Sequence, residues 1–182
     1  MTLTRMHRLS GAILGSFVLL HLFNHLFVLA GASGHIALME QLRTVYRWPP
    51  LEALLLACVL FQVCSGPVLL RGRGLLARAT GLYMLFFLLV HTLAVLWSRA
   101  VPKVDTDIYF AAAGLHSWPA VLFFLPYYLL AVVAVCAHLG NALSKRFGQR
   151  HIMLPGAAAI GLLAGALIVG GMMALEMPNP NA

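Results

Sequence analysis

Five apolar runs divide this chain, at roughly 10–31, 50–70, 79–98, 118–140 and 153–175. Each holds about twenty residues or more, enough for a helix to cross a hydrocarbon core of about 30 Å. No alternating apolar–polar pattern competes with helix anywhere. A chain of 182 residues with only 9% charged residues and a mean hydropathy of +0.91 therefore reads as one membrane domain, 1–182. The expected fold class is an all-α integral membrane protein, a bundle of five transmembrane helices. The three cysteines, Cys58, Cys64 and Cys136, all lie in apolar runs and read as buried thiols, with no disulfide framework and no zinc site.

The net charge of +7 does not indicate nucleic-acid binding, because its distribution follows membrane topology. Arg5, Arg8, Arg71, Arg73, Arg78, Lys145, Arg146 and Arg150 fall on one side of the spans. Arg43, Arg47, Arg99 and Lys103 fall on the other, together with all five acids, Glu40, Glu52, Asp105, Asp107 and Glu176. The expected orientation has a cytoplasmic N-terminus and an outer C-terminus in a bacterial-type inner (plasma) membrane. Trp48, Trp97 and Trp118 then all reach the outer boundary, as an aromatic belt does. The N-terminal "TRMHR" and "LAGASG" imitate a secretory signal, but the apolar run between them is longer than a signal core and is expected to stay.

Punctuation sharpens the spans. "RWPP" precedes the second, and "SWP" opens the fourth, with Ser117 as expected N-cap and Pro119 in the first turn. Pro67 and Pro126 are expected to bend their helices. Residues 35–47, "HIALMEQLRTVYR", have helical apolar spacing and predict a short interfacial helix, and "DTDIYFAAAGLH" predicts a second element on the outer rim. Gly161 and Gly165 in the fifth span, and Gly11 and Gly15 in the first, form GxxxG pairs. Such pairs bring backbones together, and helix packing is the first expectation for the fifth span.

Chemistry enters with the histidines. His21, His25, His91 and His138 lie inside spans, where ionisable groups are costly and face the protein interior. A neutral imidazole is also a strong metal ligand. His21 stands thirteen positions beyond Arg8, and His91 thirteen beyond Arg78, so both lie about 20 Å along their helices. Two imidazoles at one depth on neighbouring helices match what a bis-histidine haem b needs, one axial ligand on each face. His25, one turn beyond His21 on the same face, is either the alternative ligand or a bond to a propionate or quinone. Asn24 is expected to support the site by hydrogen bonding. His138 is too shallow to pair with His91 but allows a second haem with His7. Gln62 is expected to bond another helix. Tyr83, Phe87 and His91 share one helix face, and His35 and His151 are expected at the interface. Against ligation stands the plainer role of interhelical hydrogen bonding.

The opening "MHRLSGAILGSFVLLH" resembles the start of the cytochrome b membrane anchors of succinate dehydrogenases and fumarate reductases, where a His-Arg-[Ser/Thr]-Gly element begins the first helix. Five spans in one chain resemble the single-subunit anchors of that family. The resemblance implies one or two haems b, a quinone (ubiquinone or menaquinone) near Arg8, Ser10 and His7, and flavoprotein and iron–sulfur subunits docked on the cytoplasmic side. Two-haem members place a ligand on the second span, whereas this chain has Gln62 and no histidine there, and no histidine within the fifth span. The expected function is electron transfer between a dehydrogenase-type partner and quinone, with no substrate-oxidising site in this chain. Two other expectations remain: a stand-alone haem b quinone reductase or sensor anchor, and a small histidine-using transporter or proton pathway. No acid lies mid-span to serve the last.

Overall fold

The computed structural model describes residues 1–178, and among them there is helix and no strand. The first span is α1 (Leu3–Leu26), extended by a 3-10 turn over Phe27–Ala30. Then follow α2 (Ala32–Tyr46), α3 (Pro49–Leu69), α4 (Leu75–Ala100), α5 (Ile108–Ala112), α6 (Val121–Phe147) and α7 (Arg150–Met173). Five of these elements, α1 with its turn, α3, α4, α6 and α7, are long and apolar enough to cross a membrane. They match the five apolar runs, each displaced by a few residues at its ends. Neighbours in sequence are neighbours in space: α1 packs on α3, α3 on α4, α4 on α6, and α6 on α7. The chain then returns, with α7 against α1 and its 3-10 turn.

Local chemistry sets the helix ends. The Thr2 hydroxyl caps α1 by accepting from Arg5 N–H at 3.4 Å. Pro49 and Pro50 open α3, where a missing N–H costs nothing. Gly148 closes α6 in the left-handed conformation (φ 71°), which a glycine takes without a Cβ penalty. The expected Ser117 cap is corrected: α6 begins at Val121, and Pro119 lies in the turn before it. Ser117 contributes only its carbonyl, accepting from Val121 N–H at 2.9 Å. Phe124 folds over the side-chain-free Gly114 in the preceding 3-10 turn. Of the three cysteines expected to be buried, Cys58 is buried and Cys136 half-buried, but Cys64 is exposed.

The GxxxG pair of α7 is a packing seam. A Cβ on Gly161 would stand 2.8 Å from Cys136 Cβ and 3.0 Å from Val133 Cα, so the bare backbone is what lets α7 lie against α6. Gly11 meets only the Gln62 amide, and Gly15 has nothing within 4 Å of where its Cβ would stand. The best-packed cluster joins Val28, Ile108, Ala112, Leu115, Val132, Ile168, Val169 and Met172 at one end of the bundle.

That end is capped by α2 and α5, which are packed together. On α2, His35, Met39 and Arg43 recur every fourth residue and are buried. Arg43 is 6% exposed and pairs with Glu40 at 2.6 Å and Asp105 at 2.8 Å, tying α2 to the strap before α5. Asp107 starts α5 by accepting from the Tyr109 and Phe110 N–H groups at 2.9 and 3.0 Å. Arg99 and Glu52, 2.6 Å apart, join the ends of α4 and α3 nearby.

Candidate functional site

His21, His25, His35 and His91 come together inside the capped half of the bundle. His21 and His91, from α1 and α4, have ring centres 6.0 Å apart with planes at 63°. Two imidazoles bound in line to one metal, each at about 2 Å, have ring centres roughly 6 Å apart. Each ring is backed by a phenylalanine one turn away: Phe17 stacks on His21 at 5.7 Å and Phe87 on His91 at 5.2 Å.

His25 does not stand apart from His21. Their Nε2 atoms are 3.1 Å apart, so one must donate to the other. His25 Nδ1 is sealed from solvent and has no partner. Whichever nitrogen carries the shared proton, this pair leaves a buried polar atom unpaired.

His35 is the residue that sequence reasoning missed. Expected at the interface, it is 1% exposed and lies 5.3 Å from His25, ring centre to ring centre. The signal was present in the His35–Met39–Arg43 stripe of α2. Asn24, expected to support His21, instead bonds His35, with Nδ2 and Nε2 at 3.2 Å. Asn24 Oδ1 and His35 Nδ1 are both unpaired. With the amide in either orientation, this pair keeps one unsatisfied donor and one unsatisfied acceptor. Burial holds the His35 pKa down to about 4; Asp107 opposes that shift, while Arg43 adds to it. His151 is exposed.

A second set of contacts lies toward the opposite end. His7 Nδ1 is 2.7 Å from Ser65 Oγ, and His138 Nδ1 is 3.1 Å from Thr80 Oγ1. Each hydroxyl gives its own proton to a helix carbonyl, Ser65 to Phe61 at 2.6 Å and Thr80 to Leu76 at 2.8 Å. The hydroxyls therefore act as acceptors, so in the neutral rings Nδ1 carries the hydrogen and Nε2 keeps its lone pair. Metal-binding histidines are commonly oriented in this way by their other ring nitrogen. Ser65 and Thr80 carried no sequence signal, because each is an ordinary small residue in an apolar run.

Of the residues expected near a quinone, Ser10 is buried and its proton goes to the Met6 and His7 carbonyls at 3.0 and 3.2 Å. Its oxygen accepts from Gln62 at 2.9 Å, and Gln62 also donates to the His7 carbonyl at 2.7 Å. Gln62 thus makes the interhelical bond expected of it, and Ser10 has only acceptor capacity left. Arg8 is exposed.

Among the described residues, no three histidine, cysteine, aspartate or glutamate side chains are grouped to hold a metal ion. His21 and His91 are two imidazoles with ring centres 6.0 Å apart, and two is the number of protein ligands that a six-coordinate haem iron takes. A Cβ on Gly15 would meet nothing within 4 Å, and His25 Nδ1 has no partner. No protein family, curated protein or solved structure matches this chain.

Proposed function

We propose that this protein is a haem b membrane cytochrome that passes electrons between a dehydrogenase-type redox partner and quinone. The observation that carries the reading is the His21–His91 pair, from two spans at matched depth, with ring centres 6.0 Å apart. Bound there, haem b would supply a one-electron couple. His21 and His91 would hold the iron, with Phe17 and Phe87 fixing their ring planes. His25 would bond a propionate or take the ligand position itself. His7 and His138, with free Nε2 atoms, are the residues for a second haem.

A reduced-minus-oxidised spectrum of the purified protein tests this. A haem b band is expected, lost or turned high-spin in His21→Ala and His91→Ala, and still low-spin in His25→Ala. Wild-type spectra in both ligand variants would return these residues to helix packing. Flavoprotein and iron–sulfur subunits recovered with the chain would support the succinate dehydrogenase/fumarate reductase-type assembly, and a haem band without them the stand-alone reductase or sensor. We also propose an inner-membrane orientation with the Arg71–Arg78 turn in the cytoplasm and the α2–α5 cap outside. A reporter after residue 178 should be outside and one in the 71–78 turn inside; both on one face would refute it.

One observation favours a reading of another class. His21, His25 and His35 follow one another at 4.5 and 5.3 Å, a run of imidazoles from mid-span to the cap, which suits a proton pathway. Absence of any haem band after haem-replete expression, with proton flux through the reconstituted chain, would establish that reading instead.

A further inference from the structure

The turn from α3 to α4 reads Arg71-Gly72-Arg73-Gly74, and Arg78 follows at the end of the first turn of α4. Gly72 takes a φ of 74°, which costs a glycine no Cβ clash, and the chain reverses there to lay α4 against α3. A Cβ on Gly81 would stand 2.9 Å from Leu70 Cδ2, so the end of α3 rests on bare backbone of α4. Beside this contact is a cavity of about 420 Å³, walled by Pro67, Leu70, Arg71, Gly72, Arg78 and Leu82.

Both walls change character with depth. Pro67 lies one turn before Arg71 on one side, and Leu82 one turn beyond Arg78 on the other. The arginines stand at the mouth near the turn, and the apolar residues lie further along the spans. Pro67 is exposed and Leu82 is 51% exposed, so the apolar part opens sideways, toward lipid when the spans cross a membrane. Arg71 and Arg78 are exposed, and neither side chain makes an ion pair or hydrogen bond among the described residues. Arg73 is not on the wall, and its Nε donates to the Leu69 carbonyl at 3.2 Å. The acids of the chain lie at the other end of the bundle. Glu40, Glu52, Asp105 and Asp107 are on or beside the cap, and Glu176 follows α7, whose last turn packs there too.

We propose that this groove binds one anionic glycerophospholipid, its phosphodiester between Arg71 and Arg78 and one acyl chain along Leu70 and Leu82. A guanidinium presents planar paired donors, and a phosphodiester has two non-bridging oxygens, one for each arginine. The apolar stretch behind the arginines selects an amphiphile over a free phosphate. The absence of an acid selects against a zwitterionic lipid, whose cationic head finds no counter-charge here. The volume lies within the roughly 300–1,000 Å³ of small-molecule sites, enough for a head group and the start of a chain. The site is independent of the electron-transfer reading, since none of its residues belongs to the histidine cluster.

The test uses the full chain, purified in non-ionic detergent, with bound lipid counted by native mass spectrometry. Titration with dioleoyl-phosphatidylglycerol should fill one site first, roughly tenfold more tightly than dioleoyl-phosphatidylcholine. Arg71→Gln and Arg78→Gln should each weaken that site by roughly fivefold to tenfold, the loss of one charged contact to phosphate. Arg73→Gln removes the same charge from the same turn and should change it by about twofold or less. Phosphatidylglycerol with a diazirine in its acyl chain should crosslink within residues 67–82. Glycerophosphoglycerol and diacylglycerol, the head and the chains alone, should not compete. Equal affinity for the two lipids overturns the proposal. Equal losses in all three arginine variants assign the preference to diffuse surface charge and also overturn it. Competition by glycerophosphoglycerol at the affinity of the lipid makes this a free-phosphate site, competition by diacylglycerol makes it an apolar groove, and either result overturns it. Crosslinks confined to other helices overturn it whatever the variants do.

Discussion

Acidification should destabilise this protein through His35, and the size of the effect follows from its burial. The side chain is 1% exposed, and its pKa is held at about 4 against an ordinary 6.5. The folded state therefore binds fewer protons than the unfolded state between these values, and stability falls as pH falls through that window. Above about pH 6.5 both states are neutral at this ring and it contributes no pH dependence. Inside the window each tenfold rise in proton activity costs about 1.36 kcal/mol, so the loss between about pH 7.5 and pH 4.5 comes to roughly 2.5 kcal/mol. For a chain of this length that is roughly 5–10 °C in melting temperature. The assay is a pair of thermal-melt series in detergent, wild type against His35→Gln, which keeps an amide for Asn24 and does not titrate. Every other group is common to both proteins, so the difference in slope reports His35. Asp107→Asn retains a capping side chain for α5 but removes the carboxylate that raises the His35 pKa, so its acid loss should be steeper than wild type. Parallel curves for wild type and His35→Gln would refute the burial argument.

Two substitutions test the frame around the site. Gly161→Leu drives a side chain into Cys136 and Val133 and should cost about 2–3 kcal/mol, read as a lowered melting temperature, whereas Gly170→Ala, with nothing within 4 Å, should be neutral or slightly stabilising. Arg43→Gln leaves Asp105 and Glu40, both mostly exposed, to solvent, so the loss should be only about 1–2 kcal/mol, but limited proteolysis should cut the 101–107 strap faster.

The spans were legible because membrane crossing is written as length and hydropathy, both local properties. Helix α2 was legible from its apolar spacing, and the α6–α7 seam from its glycines. What could not be read was direction. His35 sits in a polar-looking outer segment, and only the docking of α2 onto the end of α1 turns its ring inward against Asn24. The Ser117 cap failed because the chain turns through Trp118–Ala120 before α6 begins at Val121, so Ser117 stands too far ahead of the helix to cap it. Depth counting brought His21 and His91 to one level, but it carried no information about Ser65 and Thr80. Those hydroxyls act through which ring nitrogen they hold, a choice made only after α1 meets α3 and α4 meets α6.

The two histidines of "HLFNH" remain chemically unequal despite their shared helix face. Their Nε2 atoms divide one proton at 3.1 Å, and the spare nitrogen of His25 has nothing to bond. As a packing device alone this is poor, since an unpaired buried polar atom costs about 1–3 kcal/mol. Replacing His25 with leucine would remove that cost but leave His21 Nε2 without its partner, so on the packing reading His25→Leu should leave the melting temperature about unchanged. On the cytochrome reading the second imidazole has work to do beside the iron. His25→Leu should then alter the reduction potential of the haem, or, if His25 rather than His21 is the ligand, remove the low-spin band. A variant with unchanged stability, a wild-type spectrum and an unshifted potential would assign His25 to helix packing and leave His21 and His91 to carry the site without it.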